Sequence, residues 1–468
     1  MVTLAHLLKL SIASFLFSAS FSPINLWFLM PISVAIFIHL LYQSKFKISF
    51  SVLYGFLANA LVLSWSKTFV GVAPWILLSI LQSMYFIPVG MLAKLTRNPY
   101  ALVSAILLSE YLKDIFPFGG FGWTRIGFSQ SDSPLVGLVN VFGIAGLSAV
   151  TLLIAVSFVR PSARLLAFLL VSLSVAPFLI SSEPSSSELR VRAIQGGVPE
   201  RGLSFNARAQ AVLDNHTSVT LNEFEATDQL IIWPENAIDV DPLKNPSARK
   251  KIENLQLKTN IPLISGVILD NKKLFNSAVL FDSSGNIDSV YKKRYLTPFG
   301  EYIPLRPIAS KISTHTEQVT DFTPGTDFVS HRVNGTVIST VICYELLSDS
   351  ILQQSADNTS LIAVLTNSAT FSGSAEGLQQ LNIARLRAIE ADRYLVSVST
   401  TGPTALIDNR GRVLQMLSDG QVGSIVANVG LRERVTFAVK YGSEIKISLL
   451  FLALGFIIKS MRKGRECI

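Results

Sequence analysis

The sequence predicts a multi-span α-helical membrane domain joined to an α/β layered domain. Three observations predict this. Of 468 residues, 49% are hydrophobic and only 15% charged, and mean hydropathy is +0.44; a soluble globular chain carries nearer a quarter charged. The long apolar runs are confined to the first 181 residues and one C-terminal segment. Between them, short β-rich runs alternate with helical patterns, as in strands and helices packed in layers. The length allows two or three domains.

Seven apolar segments precede residue 182, at about 4–21, 23–42, 48–66, 73–93, 99–113, 134–158 and 165–181, and an eighth lies at about 444–460. A helix needs about 20 apolar residues to cross a ~30 Å hydrocarbon core, so 99–113 is the shortest candidate. The first segment has neither a basic n-region nor a small-x-small cleavage site, and it reads as a retained span rather than a signal peptide. With the N-terminus inside, the inner loops and C-terminal tail carry Lys45, Lys47, Lys94, Arg97, Arg160, Arg164, Lys459, Arg462, Lys463 and Arg465. The short outer loops carry Lys67, Lys113 and Arg125. Ten against three follows the positive-inside rule. The expected organisation is a membrane domain at 1–181, a catalytic domain at 187–432 on the outer face, a transmembrane helix at 444–460 and a basic cytoplasmic tail at 461–468. The formal charge of +8 does not point to nucleic acid, because the basic residues flank apolar runs instead of clustering with aromatics on a polar segment.

A Ser/Glu/Pro linker at 181–187 introduces the outer domain. Strands are expected at 189–194, 229–233, 261–268, 277–281, 336–343, 361–366, 394–399, 404–407 and 423–429, and helices at 206–227, 246–257, 346–355 and 375–391. The last helix repeats Leu378, Leu381, Ile383, Leu386 and Ile389 at roughly helical spacing. Asp282-Ser283-Ser284-Gly285-Asn286 reads as a hairpin turn.

Three strings carry the chemistry: Trp233-Pro234-Glu235, Lys293 within Tyr-Lys-Lys-Arg-Tyr-Leu, and Cys343 within Val-Ile-Cys-Tyr-Glu. They are separated by 58 and 50 residues, and each follows an apolar run that reads as a buried strand. A thiol is mostly protonated at neutral pH; a nearby ammonium favours the thiolate and a carboxylate can take the proton. Cys343 is the only cysteine of the outer domain, Cys467 lying in the tail, so it has no disulfide partner there. Taken singly, Cys343 reads as an inert strand-end thiol, Glu235 as a loop carboxylate and Lys293 as a solvated base. Their joint order and placement point to a thiol nucleophile with its base and cation. Two rival enzymes use the same residues differently: a membrane-anchored amidase hydrolysing a C–N bond, and a papain-like protease pairing Cys343 with His315 or His331. A transporter fits poorly, since the spans hold few acidic residues, Glu110 being the main one. No metal-ligand cluster or nucleotide-binding loop appears in the sequence, so neither metal nor cofactor is expected.

Further strings carry a resemblance. They are Gln195-Gly196, Ile232-Trp233-Pro234-Glu235, the run from Lys293 through Thr297-Pro298-Phe299-Gly300-Glu301-Tyr302-Ile303-Pro304, Phe322-Thr323-Pro324-Gly325, Cys343-Tyr344-Glu345, Ala384-Arg385-Leu386-Arg387-Ala388, and, in the membrane half, Phe118 to Trp123 and Gly127 to Gln130. On these, residues 187–432 resemble the nitrilase, or carbon–nitrogen hydrolase, superfamily, and the whole chain resembles the apolipoprotein N-acyltransferase family of bacterial membrane enzymes. The resemblance implies an αββα sandwich for the outer domain. It implies transfer of a fatty acyl group from a membrane phospholipid to the N-terminal amine of diacylglyceryl-cysteine lipoproteins, through a thioester, in the cytoplasmic membrane. It assigns Glu235 as proton acceptor, Lys293 as oxyanion stabiliser and Cys343 as nucleophile, with Glu301, Tyr344 and Glu345 in support. The segment 295–335, with Tyr302, Ile303, Leu305, Pro307, Ile308 and Ile312, reads as an arm toward lipid that limits water. The chain departs from the pattern at Asn367-Ser368-Ala369-Thr370-Phe371-Ser372, where many members carry Asn-Asp-x-Trp-Phe-Gly. It departs also at Phe205, where a Trp is common nearby, and at Gly122, where Pro is usual.

Overall fold

The computed structural model describes residues 4–179, 185, 187–199, 210–311, 316–317 and 319–465. The chain divides into two compact units, one of residues 1–67, 71–182 and 441–468, the other of residues 68–70 and 183–440. Phe205, Ile312, His315 and Cys467, all singled out above, lie outside the described residues.

Helices α1 (Leu4–Ala19), α2 (Leu29–Gln43), α3 (Lys47–Val62), α4 (Lys67–Val70), α5 (Val72–Met84), α6 (Ile87–Leu95), α7 (Pro99–Ile115), α8 (Val139–Val159) and α9 (Arg164–Leu179) precede the second unit. Each expected apolar segment coincides with helix. Among the described residues, three helical stretches are long and apolar enough to cross a membrane, Val72–Leu95, Pro134–Val159 and Phe437–Arg462; Leu4–Ala19, Leu29–Gln43, Lys47–Val62 and Pro161–Ser172 are apolar but shorter. The first unit packs around stacked Phe37 and Tyr54, ring centroids 4.1 Å apart, with the Tyr54 hydroxyl 2.8 Å from Ser33 Oγ. Lys113 and Arg125, expected in open outer loops, are instead buried. Arg125 pairs with Asp114 at 3.4 Å, Lys446 reaches the same carboxylate at 3.0 Å, and Lys113 contacts Thr124 at 3.4 Å. Gly122 is explained by this cluster: a Cβ there would stand 2.2 Å from Asp114 Oδ1.

The second unit holds β1 (Ser187–Gln195), α10 (Ala211–Glu223), β2 (Leu230–Ile232), α11 (Pro246–Thr259), β3 (Leu263–Asp270), β4 (Leu274–Phe281) and β5 (Ile287–Lys292). After these come α12 (Arg306–Ala309), β6 (His331–Val333), β7 (Thr336–Ile342), α13 (Asp349–Ala356), β8 (Leu361–Thr366), α14 (Glu376–Ala391), β9 (Leu395–Ser399), β10 (Thr404–Ile407), β11 (Val413–Leu417) and β12 (Gly423–Leu431). The helix α15 (Phe437–Arg465) follows. Two six-stranded sheets result, ordered β12-β1-β2-β3-β4-β5 and β11-β10-β9-β8-β7-β6. In each, three central strands run parallel (β1-β2-β3 and β7-β8-β9) with antiparallel strands outside.

The sheets pack face to face through Val191, Ile232, Ala278 and Tyr291 of one and Ile338, Ile342, Ala363 and Val398 of the other. Helices α10 and α11 cover the outer face of the first sheet through Leu213, Ala248, Ile252 and Leu255, and α13 and α14 pack against the second. This is the expected αββα sandwich. The parallel strands are covered on both faces, which is why they read as unbroken apolar runs; every residue of β8 is buried. Strands β5, β6 and β11, outside the expected strand ranges, are edge strands; β5, read as a buried run before Lys293, is only partly buried, and β11 is largely exposed. The helix expected at 346–355 begins only at Asp349, because Cys343–Leu347 forms a tight 3₁₀ turn.

Candidate active site

The three strings converge at the carboxyl ends of β2, β5 and β7. Beyond β2, Trp233 is fully buried, its indole donating to Thr220 Oγ1 at 2.9 Å. The Trp233 amide donates to Ile264 O at 2.8 Å, and Gly266 N to Pro234 O at 3.1 Å. These bonds press the β3 backbone against Glu235. A Cβ on Gly266 would sit 2.5 Å from Glu235 Cα and from Pro234 O, so no side chain fits. Lys293 is the first residue past β5; its amide donates to Asn276 O and its carbonyl accepts from Gly325 N, both at 2.8 Å. This places Thr323-Pro324-Gly325 as the clamp on the lysine turn.

Cys343 is the first residue past β7 and has φ +50°. That left-handed conformation is costly for a residue with a side chain and persists where the surroundings enforce it. Glu345 enforces it. Its Oε2 accepts from Ile342 N at 2.9 Å, while Oε1 accepts from the Tyr291 hydroxyl at 2.8 Å and from Arg294 N and Tyr295 N at 2.7 and 3.2 Å. One carboxylate thus ties the cysteine turn of one sheet to the lysine turn of the other. Tyr344 is buried, stacked on Tyr295 with centroids 5.2 Å apart.

Lys293 Nζ lies 3.2 Å from Glu235 Oε1 and 2.8 Å from Glu301 Oε2, all three side chains being buried. The Asn276 amide donates to Glu235 Oε1 at 2.6 Å and to Glu301 Oε1 at 2.7 Å, and Thr297 N donates to Glu301 Oε2 at 2.7 Å. Burial alone would strip charge from Lys293, but the carboxylates of Glu235 and Glu301 outweigh it and hold the ammonium well above the usual lysine range. Burial raises the Glu235 carboxyl, with Lys293 opposing and Glu301 reinforcing the rise. The Cys343 thiol is pushed well up by burial and then by Glu235, against the pull of Lys293. Both shifts favour a thiol that keeps its proton and a Glu235 carboxyl with a raised proton affinity beside it.

Sequence reasoning missed Asn276, Gln380 and Glu376. Gln380 Nε2 stands 3.6 Å from Cys343 Sγ. The available signal was a polar residue at a buried position: Asn276 inside the apolar strand β4, and Gln379-Gln380 inside a helix with a nearly fully buried face. His331 is the described histidine of the protease alternative. It is fully buried, with Nδ1 2.8 Å from Ser289 Oγ and Nε2 3.5 Å from Thr340 Oγ1. It faces hydroxyls, not Cys343, and burial pulls it down to about 4, so the structure does not place His331 as the base of a histidine-based protease; His315, the other candidate, lies outside the described residues. Among the described residues no cluster of three or more His, Cys, Asp or Glu side chains is arranged to hold a metal ion.

Fold and site together define a class, the αββα sandwich proteins with a buried Glu, Lys and Cys at strand ends. Residues 190–436, more than half of the chain, match the family model for carbon–nitrogen hydrolase, and the chain belongs to that family. Residues 13–157 match the apolipoprotein N-acyltransferase N-terminal domain. The apolipoprotein N-acyltransferase of Mycolicibacterium smegmatis is 28% identical over 497 residues, covering 95% of this chain and 84% of the relative. That of Shewanella oneidensis is 28% identical, covering 94% and 93%, and that of Photobacterium profundum is 26% identical, covering 99% and 97%. Among solved structures, an amidase from Nesterenkonia sp. is 18% identical with a TM-score of 0.42, covering 57% of this chain and 99% of that one.

Proposed function

We propose that this membrane enzyme transfers a fatty acyl group from a phospholipid to the N-terminal amine of diacylglyceryl-cysteine lipoproteins. The observation that carries the reading is the occurrence, in one chain, of the N-acyltransferase N-terminal domain and of a carbon–nitrogen hydrolase domain with a buried Glu–Lys–Cys set. Glu235 takes the proton of Cys343, and the thiolate attacks the phospholipid ester carbonyl. Lys293 Nζ and a backbone N–H past the cysteine stabilise the oxyanion. Glu235 returns the proton to the departing lysophospholipid oxygen, leaving an acyl thioester. The acceptor amine then attacks; the C–N bond forms as the C–S bond breaks, and the amine proton passes through Glu235 to the thiolate. Glu301 and Asn276 hold Lys293 and Glu235 in register, and Glu345 holds the cysteine turn. The arm past Lys293 presents exposed Phe299, Leu305 and Ile308, while Arg306 braces it with bonds to Thr316 O at 2.8 Å and Val319 O at 3.0 Å. Such an apolar tip suits a lipid surface.

Giving the purified protein a phospholipid and a diacylglyceryl lipopeptide, then weighing the products, tests the reading. One added acyl group in hydroxylamine-stable amide linkage is expected. Release of ammonia from soluble amides without lipopeptide acylation would favour an amidase instead.

The same reading places the protein in the cytoplasmic membrane as a multi-pass chain, with the catalytic unit outside and both ends cytoplasmic. Reporter fusions near residues 45, 95 and 162 are expected to score cytoplasmic and fusions near 68 and 300 external. A cytoplasmic score at 300 would end the argument for an outer-face enzyme.

A further inference from the structure

Glu376 has no part in the steps above, yet it stands at the site. It opens α14 one helical turn before Gln380, so the two side chains share a face of that helix, and Gln380 is the residue whose amide reaches Cys343 Sγ at 3.6 Å. The Glu376 side chain is buried, its carboxylate accepts from the Ser368 hydroxyl, and its Oε2 makes no hydrogen bond. A buried carboxylate oxygen without a partner is costly and demands an explanation. Ser368 stands where many family members carry the acid of their Asn-Asp motif, so in this chain the acid beside that loop comes from the helix.

The charge balance supplies the explanation. Glu235, Glu376 and Glu301 all act on the Cys343 thiol with negative charge, against the single ammonium of Lys293, which Glu235 and Glu301 already bind. The charged groups acting on Glu376 itself, Glu235 and Asp419, are both acidic. The site is short of positive charge beside the unpartnered Glu376 Oε2. Of the two substrates in the proposed reaction, the donor ester is neutral at its reacting end, and the acceptor is the one that carries a cation at its reacting atom, the α-ammonium of the lipoprotein cysteine.

We propose that Glu376 is the acceptor-binding residue: Oε2 receives the α-ammonium and takes one proton from it, which leaves a neutral amine facing the Cys343 thioester. The inference rests on the acyl-transfer reading and deepens it. After the transfer Glu376 is a neutral acid and the amine holds its lone pair. Attack on the thioester then forms C–N and breaks C–S, and the second amine proton goes to Glu235 and on to the thiolate. Burial raises the Glu376 carboxyl to about 7, close to a free α-amino group at about 8, so the proton moves between near-equal partners. The segment 367–374, which supplies Ser368, is tied down by Asp419, which accepts from Ser372 Oγ at 2.9 Å and from Gly373 N.

The test separates the half-reactions. In Glu376→Gln, whose amide oxygen still accepts from Ser368, formation of the Cys343 thioester from phospholipid is expected to stay within about two-fold, as is its discharge by neutral hydroxylamine. The KM for the diacylglyceryl-cysteine peptide rises about ten- to a hundred-fold, the loss of one charge-assisted contact. Ser368→Ala, which keeps the carboxylate but frees its orientation, raises the same KM by a smaller factor. Unchanged acceptor KM in both variants overturns the inference, as does equal slowing of thioester formation and discharge. If the unaltered enzyme forms no thioester at all, the acyl-transfer reading fails; if it forms and discharges one while both variants match it, only the role of Glu376 falls.

Discussion

Lys293→Arg is expected to lose at least about a hundred-fold of acyl transfer, the scale of removing one preorganised oxyanion donor. Charge is conserved in this change but geometry is not. The ammonium sits between Glu235 Oε1 at 3.2 Å and Glu301 Oε2 at 2.8 Å in a slot that leaves it 1% exposed. A guanidinium is a planar fork, wider than a point-like ammonium. Forcing it into a closed slot costs about 1–3 kcal/mol in displaced neighbours. Those neighbours are the carboxylates themselves, so the base would shift along with the oxyanion donor. The adjacent Lys292 provides the control. It points to the other face of β5, with Nζ 4.1 Å from the centroid of the Phe275 ring. Lys292→Ala gives up that cation–π contact, worth about 0.5–1 kcal/mol of stability at such a site, and is expected to keep its activity. Equal losses at the two positions, or none at Lys293, would reject the assignment of Lys293 to the reaction.

The parts of this protein that were legible in the sequence share a physical cause. Central parallel strands are buried on both faces, so β2, β7, β8 and β9 are continuous apolar runs that stand out from any neighbour. Glu235 and Cys343 lie immediately past such runs, where a strand end changes abruptly into a polar turn, whereas Lys293 follows the mixed edge strand β5, not the buried strand expected there. The edge strands β5, β6 and β11 lacked that signal, because a half-covered strand tolerates Asp288, Arg332 or Gln415 among its apolar residues. Asn276, Gln380 and Glu376 were invisible for a different reason. Each lies in the middle or at the start of a regular element, where a polar residue normally faces solvent, and only the packing of the second layer shows that it faces the site. The burial of Lys113 and Arg125 was equally hidden. A basic residue between apolar runs reads as a loop charge until Asp114 is seen beside Arg125 and the Thr124 hydroxyl beside Lys113.

The covalent intermediate is the centre of the account. In the proposed mechanism Glu235 is the base for the Cys343 thiol, which burial pushes well up, so acylation depends on both. With phospholipid alone, the intact protein is expected to gain the mass of one fatty-acyl group, located on the peptide that contains Cys343. Neutral hydroxylamine should remove it, and a diacylglyceryl-cysteine peptide should discharge it as an amide. Cys343→Ser should form no hydroxylamine-labile adduct, and Glu235→Gln should form it at least about a hundred-fold more slowly for want of the base. Intact-mass analysis of the phospholipid-treated enzyme is the most direct test. A single thioester-linked acyl group on Cys343 is the predicted result, and normal acyl transfer by Cys343→Ala would contradict the account.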